Sequence, residues 1–142
     1  MDDPAETARL CAQLMYDADR ASRHLGIDIT DVAPGRATAT MTVTDDMVNG
    51  HDIGHGGYVF TVADTAFAFA CNTYNEVTVA AGADINFISP VTAGDQLIAI
   101  AVERTKRGRS GIYDVTVRTA DGTVVAEFRG RSRSLGTPHL SD

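Results

Sequence analysis

Between Tyr58 and Cys71 the only strongly polar side chain is Asp64. A helix apolar on nearly every side has to be buried, so whatever this chain folds into must wrap around this segment. A carboxylate there is costly without a use or a partner, because withdrawing an unpaired charge from water costs far more than withdrawing a hydroxyl. At about 100° per residue, Thr61, Asp64, Thr65, Ala68 and Asn72 fall within about a quarter turn. Val59, Val62, Phe67, Phe69 and Ala70 take the rest of the circumference. The broad side is expected to pack into a sheet, and the polar wedge to face a pocket or a second helix. The plainer alternative makes Asp64 a structural aspartate, hydrogen-bonded across a dimer seam.

The stretch before the helix, Gly50 to Gly57, has too many glycines for helix or strand. At His55-Gly56-Gly57 the chain turns into the helix, so unpaired N–H groups and the positive end of the helix dipole point outward. Such an end suits an anion, or an oxygen becoming one. It is not a nucleotide phosphate loop: no Gly-Lys-Ser/Thr follows and no strand directly precedes it. His51 and His55 are four apart in a loop, without the shared helical face of a zinc pair, and no metal is expected. Asn49 is a candidate either to cap a turn or to take part in chemistry.

The flanking chain supplies the wrapping. Asp3, Pro4 and Glu6 mark a helix start; Leu10, Cys11, Leu14, Met15 and Ala18 continue it at helical spacing, as an amphipathic surface helix ending near Leu25-Gly26. Ile27 to Val32 reads as a strand. Arg36 to Thr44 alternates strictly, with Ala37, Ala39, Met41 and Val43 on one face and threonines on the other. After the central helix, Val77 to Ile88, Gln96 to Thr105, Ile112 to Thr119 and Thr123 to Ser134 read as strands, the last three joined by short glycine hairpins. The residues from Gly136 to Asp142 are expected to fray. One long helix among antiparallel strands is covered only if the sheet curls around it, an α+β arrangement in one domain spanning 1–142.

A net charge of −7 argues against nucleic-acid binding, which depends on neutralising phosphates. The basic residues are local: Arg104, Lys106, Arg107 and Arg109 around one turn, and Arg129, Arg131 and Arg133 alternating along the last strand. Such a rim suits a small phosphorylated ligand, although most clusters of this kind are solvated faces. Cys11 and Cys71 show no metal or disulfide spacing, and no apolar run is of membrane-spanning length. A soluble cytoplasmic protein is the expectation.

Asn49-Gly50-His51, His55-Gly56-Gly57, Ala63 to Ala68 and Asn72 together resemble the hotdog-fold acyl-CoA thioesterases of the phenylacetate-degradation type. The likeness extends over essentially the whole chain, including Gly26 to Ile29, Gly111 to Asp114 and Phe128 to Gly130. His-Gly-Gly alone is weak; with an Asp eight residues after its first Gly and an Asn six before its His, it is specific. The resemblance implies hydrolysis of an aryl-acetyl-CoA or related medium-sized acyl-CoA, with coenzyme A part of the substrate and no other cofactor. It implies that Gly56 N–H polarises the thioester carbonyl, Asp64 acts as general base or nucleophile, and Asn49 and His55 shape the site. Gly57, Thr65, Ala68, Asn72 and Asn86 would contact substrate or water. Relatives often carry Ser or Thr early in the strand after the helix, where Val79 to Ala83 offers no hydroxyl; Thr65, Thr78 and Asn86 are the substitutes available. Gly56 and Asp64 lie about 12 Å apart along one helix, too far to act on one carbonyl. The carboxylate must therefore come from a second subunit, in a homodimer whose helices pack antiparallel about 8–10 Å apart. In this family such dimers commonly pair into homotetramers. The alternatives are a hotdog enoyl-CoA hydratase or dehydratase using His55 with Asp64, and a non-catalytic acyl-CoA-binding module.

Overall fold

The computed structural model describes residues 3–141. Its centre is helix α3, Gly56–Cys71. Six antiparallel strands curl around it: β1 (Asp28–Ala33), β2 (Arg36–Thr42), β3 (Thr78–Phe87), β4 (Gln96–Arg107), β5 (Ser110–Thr119) and β6 (Val124–Ser134), in the spatial order β1-β2-β4-β5-β6-β3. Strands β1 and β3 are therefore the two edges.

The alternation along β2 is realised as expected: Ala37, Ala39, Met41 and Val43 are all at most 3% exposed. With Ala99 and Ala101 of β4, also fully buried, the alanines keep the sheet floor low, so that α3 can lie close to it. Phe67 settles against β6, where a Cβ built on Gly130 would stand 2.7 Å from its ring; only glycine leaves that room. The ring also meets Tyr113 and Phe128 at centroid distances of 5.7 and 5.8 Å. This contact fixes the rotation of α3 and hence which residues it leaves uncovered.

Two expectations are corrected. The first helix does not run on to Leu25 but breaks at Asp19, giving α1 (Pro4–Ala18) and α2 (Arg20–His24). The Asp19 carboxylate accepts hydrogen bonds from the Ser22 N–H at 2.9 Å and the Ser22 hydroxyl at 2.6 Å. An aspartate that finds backbone donors outside the helix restarts the helix instead of continuing it. The tail does not fray over 136–141; Asp142 lies outside the described residues. Asn75, at φ 57°, accepts from the backbone of His139 and Leu140 at 3.0 and 2.8 Å, and Val77 N–H reaches the Thr137 carbonyl at 2.7 Å. The loop after α3 thus holds the tail as a strap, which a polar sequence alone does not announce.

Candidate active site

The N-terminal end of α3 is built by its own loop. Asn49 Oδ1 accepts from His51 N–H at 2.9 Å and Ile53 N–H at 3.3 Å, closing an Asx turn. His55 N–H donates to the Met47 carbonyl and Gly54 N–H to the Val91 carbonyl, both at 2.7 Å. His55 is the N-cap of α3: its Nδ1 accepts from Gly57 N–H at 3.0 Å, while its carbonyl takes Tyr58 N–H at 3.0 Å. The Gly56 N–H is then left as a helix-end donor with no acceptor among the described residues. Gly57, by contrast, spends its amide on the cap.

Over Gly56 lies Phe87, whose ring would come within 3.0 Å of a Cβ there. The two residues share a cleft of about 350 Å³ with Ile53, Val59, Pro90 and Val125, so the free amide opens into mostly apolar walls. Phe87 was not among the residues expected at the site. The signal was present: Ala83, Ile85 and Phe87 alternate on the helix-facing side of β3. The same parity corrects Asn86, which points to the outer face, where it lines a shallow groove with Asp84, Asp114 and Glu127. Within one protomer Asn86 is across the sheet from Asp64.

Along α3, Gly57, Thr61, Asp64 and Ala68 form a stripe that the sheet does not cover; Gly57 is exposed and the others half-buried. Thr61 donates its hydroxyl to the Gly57 carbonyl at 2.8 Å, and Thr65 to the Thr61 carbonyl at 2.7 Å. Asp64 has no hydrogen bond or ion pair among the described residues, and burial pushes its carboxyl above the ordinary carboxylate range. Cys71 offers no competing nucleophile: burial, with a smaller contribution from the Asp64 charge, pushes its thiol up to about 12.

Thr65 is only 9% exposed and sits beside the stripe rather than on it. Asn72 departs further from the expected substrate contact. It is 3% exposed, donates to the Ala68 and Thr78 carbonyls at 2.8 and 3.0 Å, and accepts from Thr78 N–H at 2.9 Å. Its Oδ1 also meets His139 Nε2 at 2.7 Å. Its side chain closes the C-terminal end of α3 and ties in the tail.

Thus the structure gathers Gly56, Gly57, His55 and Asn49 at one end of α3, places Asp64 and Ala68 along its open stripe, and sets Asn72 and Asn86 elsewhere. Comparisons with known proteins point the same way. Residues 51–126 match the thioesterase superfamily. The chain is 44% identical over 125 residues to the acyl-coenzyme A thioesterase PaaI of Escherichia coli, covering 88% of this chain and 89% of that one. The solved structure of the E. coli PaaI protein from the phenylacetic acid degradation operon superposes with a TM-score of 0.94 at 41% identity, over 96% of this chain and 99% of that one. A mutant of the phenylacetic acid degradation protein PaaI from Thermus thermophilus superposes with a TM-score of 0.79 at 34% identity, over 82% and 100% of the two chains.

Proposed function

The chain belongs to the thioesterase superfamily, with its hotdog fold, and from that premise we propose that it hydrolyses an acyl-CoA thioester to the free acid and coenzyme A. The observation that carries the reading is Asp64: a half-buried carboxylate, unpartnered among the described residues, on the open stripe of the core helix. Desolvation makes it a stronger base than an exposed aspartate. In the proposed reaction the oxygen of water forms the new C–O bond and the C–S bond breaks. Asp64 takes the proton from water, or attacks the carbonyl itself and is regenerated by water. The partner's Gly56 N–H holds the oxyanion.

Two features support pairing of subunits. The open stripe needs a cover, and strand β3 at the sheet edge carries Val79 and Phe87 at 45% and 56% exposure, with Ile88 just past its end at 59%, together with its unpaired backbone groups. A second copy across a two-fold axis covers both at once and brings Asp64 towards the partner's Gly56. Ile98, Ile100 and Val102 on the outer face of β4 offer apolar ground for a further pairing into a tetramer. The proposed acyl group is aryl-acetyl or of similar size: aromatic and aliphatic walls from Phe87, Ile53 and Val59 flank the Gly56 amide, and two of the similar proteins are tied to phenylacetic acid degradation. The proposed place of action is the cytoplasm, in keeping with two buried unpaired cysteines. No helix among the described residues is long and apolar enough to cross a membrane.

The hydratase alternative needs His55 as its base; the capping role of Nδ1 counts against it. The test is a panel of acyl-CoA thioesters read by release of free thiol. The proposal expects turnover of phenylacetyl-CoA or a ring-hydroxylated form that Asp64→Asn abolishes; hydration of an enoyl-CoA without thiol release would overturn it. Single turnover in isotopically labelled water separates the two roles of Asp64, since label enters the protein carboxylate only if that carboxylate attacks.

A further inference from the structure

Hydrolysis needs a group that holds the water as well as one that takes its proton, and the side chains expected to do so are engaged elsewhere. Thr78 Oγ1 donates to the Glu76 carbonyl at 2.9 Å, beyond the C-terminal end of α3. Asn86 is on the outer face of the sheet, Asn72 is sealed among carbonyls, and Val79 to Ala83 carry no hydroxyl. Thr65 is buried and points its hydrogen at the Thr61 carbonyl, 2.7 Å away. The open stripe itself carries one hydroxyl, that of Thr61, half-buried and three residues before Asp64.

Residues three apart on a helix stand side by side, with about 5–6 Å between their Cβ atoms. Helical side chains lean towards the N-terminal end, which brings the Asp64 carboxylate over the turn that holds Thr61. A single water, with O···O distances of about 2.8 Å to each partner, spans such a gap. The direction of the Thr61 hydroxyl is also set. It donates to the Gly57 carbonyl at 2.8 Å, so its one hydrogen is spent and its oxygen offers the stripe only lone pairs. Threonines often bond back to a carbonyl four residues earlier, and Thr65 does the same; what sets Thr61 apart is its place beside Asp64. A water bridging the two must donate one hydrogen to Thr61 Oγ1 and the other to Asp64. Its own lone pairs are then left facing away from the helix.

The proposed pairing of subunits brings the thioester to that side. With Gly56 N–H opposite the partner's Asp64 in antiparallel helices, the two-fold axis crosses α3 halfway between the two positions, at Phe60. Thr61 is thus next to the axis, on the stripe turned to the partner. The water lies between the axis and the amide assigned to the oxyanion.

We propose that Thr61 is the water-positioning residue of the hydrolysis; this rests on the acyl-CoA reading above and takes the branch in which Asp64 is the general base. Thr61 Oγ1 accepts one hydrogen of the water, and the Asp64 carboxylate takes the other as a proton. The water oxygen forms the new C–O bond, the C–S bond breaks with its electron pair on sulfur, and the thiolate recovers the proton from Asp64. The hydrogen held by Thr61 stays on its oxygen and becomes the hydroxyl hydrogen of the acid.

The experiment measures thiol release by the parent, Thr61→Val and Thr61→Ser, on the acyl-CoA that the parent turns over fastest. Valine keeps the branched shape without the hydroxyl, and serine keeps the hydroxyl. The proposal expects kcat to fall about tenfold in Thr61→Val, the upper end of what one neutral hydrogen bond contributes, with KM unmoved and with Thr61→Ser keeping most of the parent's kcat. A Thr61→Val enzyme with the parent's kcat, or a loss that serine does not rescue, overturns it. So does a larger fall in Thr65→Val, which removes the like bond one turn on, or label from isotopic water entering the Asp64 carboxylate in a single turnover. Added hydroxylamine gives a readout that a purely structural threonine leaves alone. As an acyl acceptor that Thr61 does not hold, it should capture a larger share of the acyl group as hydroxamate in Thr61→Val than in the parent, after correction for the uncatalysed reaction; an equal share overturns the proposal. Full activity in Thr61→Val beside an inactive Asp64→Asn ends this proposal alone, whereas a parent that releases thiol from no acyl-CoA ends the acyl-CoA reading with it.

Discussion

At the scale of single residues the proposed chemistry turns on Asp64. In Asp64→Asn, hydrolysis is expected to fall roughly 10²- to 10⁴-fold, the usual contribution of a positioned base, with the far-ultraviolet spectrum unchanged. The same variant should be more stable than its parent at neutral pH. Burial raises the Asp64 carboxyl from 3.8 in the folded state, so the folded protein binds that proton more tightly than the unfolded chain. The ionised group therefore destabilises the fold at all pH values above its raised pKa. That penalty shrinks as pH falls through the raised value and is gone below 3.8. Melting temperatures of parent and variant should converge on acidification; a constant gap, or a less stable variant, would count against a desolvated Asp64. Asp64 and Gly56 were legible in the sequence because a lone acid in an apolar run and a glycine pair at a helix start are local signals. Asn72 and Asn86 were not: what each side chain bonds depends on the C-terminal tail and on strand parity after a bulge, both set by tertiary structure.

Elements are held by contacts of a few atoms each, and these fix where α3 presents its chemistry. Gly130→Ala would drive a methyl group into the Phe67 ring, 2.7 Å away, and should cost about 1–3 kcal/mol in denaturant unfolding. His55→Ala removes the cap on Gly57 N–H and should cost about 0.5–2 kcal/mol, whereas His55→Asn, which keeps a capping acceptor, should recover most of it. If both histidine variants melt together, His55 does not act as a cap. The long strands were legible from period-two alternation, β2 above all. The break at Asp19 was not, because helical spacing continues across it and only Ser22, three residues on, supplies the competing donors.

For the whole molecule, the curled sheet around one helix was legible because the Tyr58–Cys71 run admits no other burial. The assembly is implied by what a single protomer leaves bare: the stripe Gly57, Thr61, Asp64 and Ala68, and the β3 edge. Sedimentation should therefore find no stable monomer at micromolar concentration. Because Gly56 and Asp64 are about 12 Å apart in one chain, each site should draw one group from each subunit. Gly56→Pro removes the amide hydrogen at a helix position that tolerates proline, and its Cβ, 3.0 Å from the tip of the Phe87 ring, asks that side chain to give by a few tenths of an ångström. The decisive measurement mixes two inactive proteins, Asp64→Asn and Gly56→Pro, under conditions where subunits exchange. Half the resulting dimers should be mixed, each with one intact site, so thiol release should return to about a quarter of the parent rate. A mixture that exchanges subunits yet stays inactive would contradict the shared site.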